Sequence, residues 1–170
     1  MYTPLIDKKQ AKEIDLIPAE PTMAKKVLPL MTDVICQRLA IKPIETVKDM
    51  ACFIQGTYSL QKWRFFILNR SLGIVGGISF GLVGEEKESI TALLSYWIGK
   101  EYQGQGFATQ ALSHLMAALK KQQVNHFLAQ VYPDNLASQK VLMKLGFTCS
   151  DPNIQREDYS GLVDFTLSMI

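Results

Sequence analysis

The chain has 170 residues, of which 48% are hydrophobic and 20% charged, with a formal net charge of +2. That length suits one domain that buries a core without staples. The balance excludes a disordered chain and the strongly basic footprint of a nucleic-acid binder.

No window approaches the roughly 18 uninterrupted apolar residues of a membrane span, and the N-terminus lacks the apolar run and cleavage site of a signal peptide. A soluble, cytoplasmic protein without a membrane partner is therefore expected. Cys36, Cys52 and Cys149 are scattered and show no Cys-x-x-Cys spacing. They read as buried or half-buried thiols in a reducing compartment. With only His114 and His126 beside them, no metal site is expected.

In chain order, residues 13 to 19 alternate briefly and predict a first strand. Residues 22 to 40 are helical in composition, but Pro29 cannot donate an interior helix bond, so two short helices are expected. Residues 43 to 60 predict a further helix. Pro43 suits its first turn, Glu45 and Asp49 suit its N-terminal end, and Val47, Met50, Ala51 and Ile54 fall on one inward face.

After Trp63 the pattern turns to strands. Arg64 to Leu68, a turn at Asn69-Arg70-Ser71 and Leu72 to Phe80 read as an antiparallel hairpin. Residues 81 to 89 read as a charged turn, followed by a strand from Ser89 to Ile98. Phe107 to Gln122 is the clearest helix, with Phe107, Ala111, Leu112, Leu115, Ala118 and Leu119 on one face. A strand at 125 to 131 and a helix at Asn135 to Leu145 follow, the latter closed by Gly146. Residues 147 to 150 and 161 to 169 predict the last strands. The order argues for an α+β or mixed α/β domain with helices packed on one sheet.

The chemistry concentrates in residues 96 to 109, Tyr-Trp-Ile-Gly-Lys-Glu-Tyr-Gln-Gly-Gln-Gly-Phe-Ala-Thr. A strand here runs through a glycine-bearing loop into a helix. The first amides of a helix have no internal acceptor, and the dipole there is positive. Gly104 and Gly106 keep side chains out of the way, so backbone alone can hold a pyrophosphate. No Gly-Lys-Ser/Thr follows, which sets the loop apart from the phosphate loop of nucleotide hydrolases. A third glycine at dinucleotide-fold spacing is missing too. A purely structural loop stays open on the glycines alone.

Gln103-Gly104-Gln105-Gly106-Phe107-Ala108 resembles the acetyl-coenzyme A signature of the GNAT superfamily, Arg/Gln-x-x-Gly-x-Gly/Ala. The wider phrase around Tyr96-Trp97-Ile98 is similar to the branch that acetylates N-termini of ribosomal proteins at alanine or serine. Asn135-Leu-Ala-Ser138 and Gly146-Phe147 resemble that branch's Asn-x-x-Ser…Gly-Phe element. The likeness covers the chain from about Arg64 onward.

The resemblance implies one domain over 1–170. Residues 1–62 would shape the acceptor site, and 63–170 would form the acetyl-CoA-binding core. It implies a mostly antiparallel sheet splayed between the strand ending near Ile98 and the strand at 126–131. Acetyl-CoA would lie in that gap, its pantetheine against backbone near Trp97 and Ile98. Its pyrophosphate would sit on amides of Gln103, Gly104, Gln105, Gly106, Phe107 and Ala108. Asn135 would bond the pantetheine, and Ser138 would lie near the thioester sulfur as the one catalytic candidate. Asn135 alone also reads as an N-cap. Tyr96 and Trp97 also read as core aromatics, His126 as a packed residue, and Lys140 and Lys144 as either a solvated face or phosphate attractors.

The implied reaction is acetyl transfer to a primary amine by direct attack in a ternary complex. Protein N-termini, amino acids, polyamines and aminoglycoside-like compounds stay open as acceptors. Such domains often pair, so a homodimer is admitted. Two family features are absent. Leu93 stands where many relatives carry a glutamate, and Leu142 where others carry a tyrosine acid. The general base is thus unassigned, with Glu88 nearby. Other readings are a non-catalytic acyl-CoA-binding domain, motivated by those two losses, and a nucleotide-binding domain for ATP or NAD.

Overall fold

The computed structural model describes residues 13–56, 61–85 and 90–169. Glu88 and the tail of the expected 43–60 helix lie outside them.

Alternating residues in the extended segments build one open six-stranded sheet in the order β1-β2-β3-β4-β5-β6. The strands are β1 Ile14–Pro18, β2 Trp63–Asn69, β3 Gly73–Val83, β4 Thr91–Ile98, β5 His126–Val131 and β6 Val163–Ser168. Every neighbouring pair is antiparallel except β4–β5. That one parallel pair is the one joined by a helical crossover, as parallel strands require.

Helices cover both faces. On one face lie α4 (Phe107–Lys121) and α5 (Leu136–Lys144). Phe107, Ala111, Leu112, Leu115, Met116 and Leu119 of α4 are buried. Met116 takes the inward place expected of Ala118, which is exposed. On the other face, α1 (Ala24–Val27), α2 (Asp33–Arg38) and α3 (Val47–Gln55) close over Phe66, Ile74 and Trp97.

The break expected at Pro29 is present. α1 stops at Val27, and Leu28–Leu30 forms a tight 3-10 turn with the proline in its first positions. The helix expected from residue 43, α3, starts later. Thr46, not Pro43, sets the boundary, because its side chain accepts the Asp49 amide while the Asp49 carboxylate accepts the Thr46 amide. Met50 and Ile54 face inward, but Val47, in the first turn beside that cap, is 44% exposed.

Three further expectations change. β3 runs on to Val83, so residues 81 to 83 belong to a strand paired with β4 rather than to a turn. Residues 147 to 150 form no strand: only Thr148 bridges to Thr166. Cys36 is buried and Cys149 half-buried, but Cys52 is exposed. The Asn69 turn is as expected. Its buried side-chain oxygen accepts the amides of Ser71 and Leu72, each at 3.0 Å.

Candidate functional site

The parallel pairing of β4 with β5 covers only Thr91–Leu94 against His126–Ala129. β4 continues to Ile98 with no partner on that side, so the sheet opens after Leu94. The direction of the free groups follows from the other edge of β4. Gly99 donates to the Val75 carbonyl at 2.8 Å, and the register places Trp97 opposite Gly77 and Ile98 opposite Gly76. In an antiparallel ladder alternate residues exchange bonds with the partner. Trp97 therefore spends its backbone groups on β3, and Tyr96 and Ile98 turn theirs into the gap.

Trp97 thus enters the site differently from expectation. Its backbone is engaged, and its indole is buried among the N-terminal helices, seated on Gly77. A side chain at position 77 would collide with that ring. The glycine is what lets the tryptophan lie flat on the sheet.

Beyond Ile98 the chain makes a short 3-10 turn at Lys100–Tyr102 and then the glycine loop. The Gln103 side chain folds back to donate to the Ile98 carbonyl at 3.0 Å. Gly104 and Gly106 have φ of +76° and +85°, and a Cβ at either would meet nothing within 4 Å. The left-handed backbone explains the glycines. The empty space beside them is what a ligand approaching the amides needs. No acceptor within the described residues takes the amides of residues 104 to 109; the first bond of the helix runs from Gln110 to the Gly106 carbonyl at 3.1 Å. These orphan donors at the positive end of α4 suit a phosphate. Gln105 contributes backbone only, since its side chain turns to the Glu101 carbonyl at 3.3 Å. The Phe107 ring is likewise buried in the core.

α5 supplies the facing wall. Asn135 caps it by accepting the Ser138 amide at 3.3 Å, which leaves the Asn135 amide group free to donate to a ligand. The Ser138 hydroxyl meets the Tyr96 hydroxyl, which also lies 3.4 Å from the Ser138 carbonyl. Burial pushes the Tyr96 phenol up to about 12, against the opposing pull of its Ser138 bond. Tyr96 thus stays protonated across the working pH range. Its aromatic character suggests core packing, and only the fold reveals the partner forty-two positions away.

These pieces enclose a cavity of about 550 Å³ that runs from the gap to the start of α4. Trp97, Ile98, Gln103, Gly104, Gly106, Phe107, Ala108, Asn135 and Ser138 all line it. Lys140 stands at its rim and Lys144 does not, which separates two lysines that look alike in the sequence. A second chamber of about 160 Å³ continues past Tyr96 and Ser138 to Ser95, Gln61 and Gln130. Val34, Ile35 and Arg38 of α2, with Leu39 just after it, close the cavity from the other side. Arg38 pairs with Asp134 at 2.7 Å, tying α2 to the loop before α5. No local pattern marks these α2 residues, because their partners are distant in sequence.

The two absent family groups have different surroundings. Leu142 is fully buried in the core, pointing away from the cavity it does not line. Leu93 lines the smaller chamber beside Ser95. His126, at the far end of β5, is paired with the Ser168 hydroxyl at 2.9 Å. No group of metal-ligating side chains occurs among the described residues, and no described helix is long and apolar enough to cross a membrane.

Comparison with known proteins agrees with this geometry. The ribosomal-protein-serine acetyltransferase of Escherichia coli is 27% identical over 108 residues, a match spanning 61% of this chain and 59% of that enzyme. A Salmonella typhimurium acetyltransferase that modifies the N-terminal serine of a 50S ribosomal subunit protein superposes with a TM-score of 0.78 at 20% identity, covering 95% of this chain and 98% of that one. A ribosomal α-N-protein acetyltransferase in complex with coenzyme A gives 0.76 at 19% identity, with 93% and 95% covered. At such identities the structural likeness establishes the fold. Residues 14–148 match the family described as "Acetyltransferase (GNAT) domain", and the chain belongs to that family.

Proposed function

We propose that this protein moves an acetyl group from acetyl-CoA to a primary amine by direct attack within a ternary complex. The observation that carries this reading is the opening of the sheet after Leu94, which leaves the Tyr96 and Ile98 backbone groups facing a cavity that ends on unpaired helix amides. Acetyl-CoA supplies the thioester carbonyl that the amine attacks.

The chain's own residues divide the work. The amides of 104 to 109 hold the pyrophosphate, with Lys140 adding attraction from the rim. The backbone of Ile98 and Tyr96 receives the pantetheine as an added strand would be received, and the Asn135 amide donates to it. The Ile98 N–H faces the gap and is the donor for the oxyanion. As the nitrogen–carbon bond forms and the carbon–sulfur bond breaks, the leaving thiolate takes a hydrogen bond from Ser138. The Tyr96 phenol supports that hydroxyl from behind. Among the described residues no side chain takes the part of the family glutamate at Leu93, so the amine proton leaves through water in the smaller chamber to solvent. The acceptor is a small-molecule or peptide amine entering from the α2 side.

Calorimetric titration with acetyl-CoA tests the site, with ATP and NAD as controls. Saturable binding of acetyl-CoA alone is expected, followed by acetylated products from a panel of amines. Equal binding of ATP or NAD would overturn the assignment of the loop. Binding without turnover on every amine would favour an acyl-CoA-binding protein, the outcome that Leu93 and Leu142 would then explain.

A further inference from the structure

Arg64 lies outside the cofactor cavity and has no counter-charge among the described residues. Its guanidinium carbon sits 4.3 Å from the centre of the Phe53 ring, and its Nε is buried with no hydrogen-bond partner. No carboxylate among the described residues pairs with it. Burial lowers its pKa to about 10. Room for this cation is made by Gly56, the left-handed cap of α3, where a Cβ would stand 3.2 Å from that nitrogen. A cation partly withdrawn from water with its Nε unpartnered is costly, and an incoming anion relieves the cost.

The register shows where such an anion would come from. Arg64 is opposite Ser79, and Ser79 is opposite Ser95. The three form a polar row across β2, β3 and β4 on the face covered by the N-terminal helices. A narrow pocket beside Trp97 is lined by all three. The row ends at Ser95, which also lines the smaller chamber next to Tyr96 and Ser138. The pocket's free volume is about 20 Å³, room for roughly one water-sized atom. One carboxylate oxygen would enter that space beside Arg64, with the rest of the acceptor lying towards Ser95 and the smaller chamber.

We propose that Arg64 anchors the carboxylate of the acceptor, so that the preferred acceptors are primary amines bearing a carboxylate roughly 10 Å away, two strand spacings along the row. This rests on the acetyl-transfer reading for the position of the amine. The anchor itself is a binding site and is measurable without turnover. Arg is suited to it because its guanidinium stays charged when partly buried and makes a strong charge-assisted bond to a carboxylate oxygen.

The test uses the full chain saturated with coenzyme A. It is titrated calorimetrically with ω-aminobutanoate, ω-aminohexanoate and ω-aminooctanoate, and with the primary amide of each. The wild type should bind the longer acids at least about tenfold more tightly than their amides, and the shortest acid without preference. Arg64→Met should abolish the preference, and Arg64→Lys should keep part of it. Equal binding of acid and amide by the wild type overturns the proposal without recourse to any variant. So does a preference that survives Arg64→Met in protein still folded by circular dichroism. Acetylation of the same compounds is assayed in parallel. Acid-selective binding with no product leaves the anchor standing and removes the acetyl-transfer reading, so the two failures are separable.

Discussion

The Tyr96 hydroxyl meets the Ser138 hydroxyl, joining strand β4 to the first turn of helix α5 at the point where the sheet has opened. Ser138 alone is a poor acid, but a hydroxyl that accepts from a phenol is a better donor to a thiolate. Tyr96→Phe should lower kcat about tenfold, a loss of about 1.4 kcal/mol of transition-state stabilisation, with acetyl-CoA affinity little changed. Ser138→Ala should lose a similar amount, and the double variant should be no worse than the poorer single one, because the two act in series. Steady-state kinetics of the three variants checks this.

The same phenol has a signature in stability. Its folded pKa is about 12 against an ordinary 10.0, raised by burial and partly offset by the Ser138 bond. A raised folded pKa means that its contribution is complete below about pH 10 and is lost as the pH climbs towards about 12. Urea denaturation of the wild type should therefore show a fall in stability over that window, and Tyr96→Phe should flatten it.

Much of this site is legible in the sequence because its cofactor part is local. Gly104 and Gly106 stand just before a strongly periodic helix, and their positive φ and open flanks are what that pattern demands. The Asn135 cap is equally local. What the sequence conceals is pairing at long range. Arg38 finds Asp134, and Tyr96 finds Ser138, only after the sheet has ordered itself. Boundaries slipped where a side chain outranked composition, as when the Thr46–Asp49 capping box overrode Pro43. The parity of β4 is likewise invisible until its bonds to β3 are known. It is what gives the Trp97 backbone to β3 and leaves that of Tyr96 and Ile98 to the gap, although Trp97 still lines the cavity.

Gly104→Asp separates the loop's chemistry from its strain. A Cβ there meets nothing, so the substitution does not collide with the protein, although the φ of +76° is unfavourable for any other residue. Gly104→Ala should therefore cost only about 1 kcal/mol of stability and a modest loss of affinity. Gly104→Asp adds a negative charge beside the amides proposed to hold the pyrophosphate and should weaken acetyl-CoA binding by at least about tenfold beyond the alanine variant. Calorimetry on the two variants, read as a ratio, makes the test. Equal affinities would remove the loop from the binding site.

Gly77 is a packing glycine of a different kind. Its space is filled by the Trp97 indole, whose atoms a methyl group there would strike. Gly77→Ala should destabilise the fold by about 1–3 kcal/mol, as overpacking a core does, because neither the strand nor the ring has room to yield. Displacing the indole also shifts the Ser95–Ile98 segment, so KM for acetyl-CoA should rise. Gly73, whose Cβ would meet nothing within 4 Å but whose φ is +81°, is the control for backbone strain without collision. Chemical denaturation measures the first effect and initial-rate kinetics the second.

The leucine at the family's tyrosine position offers the sharpest contrast between likeness and structure. A phenol added there is the obvious way to supply the missing acid. Leu142 is 0% exposed, packed in the cluster with Phe127, Phe147 and Phe165, and does not line the cavity. A tyrosine at that position must either bury an unsatisfied hydroxyl or push α5 outward. Leu142→Tyr is therefore expected to lose about 1–3 kcal/mol of stability and to gain no activity. If the variant instead stays as stable as the wild type and turns over faster, α5 is rotated in the working enzyme, and the Tyr96–Ser138 pair is not the group that assists the thiolate.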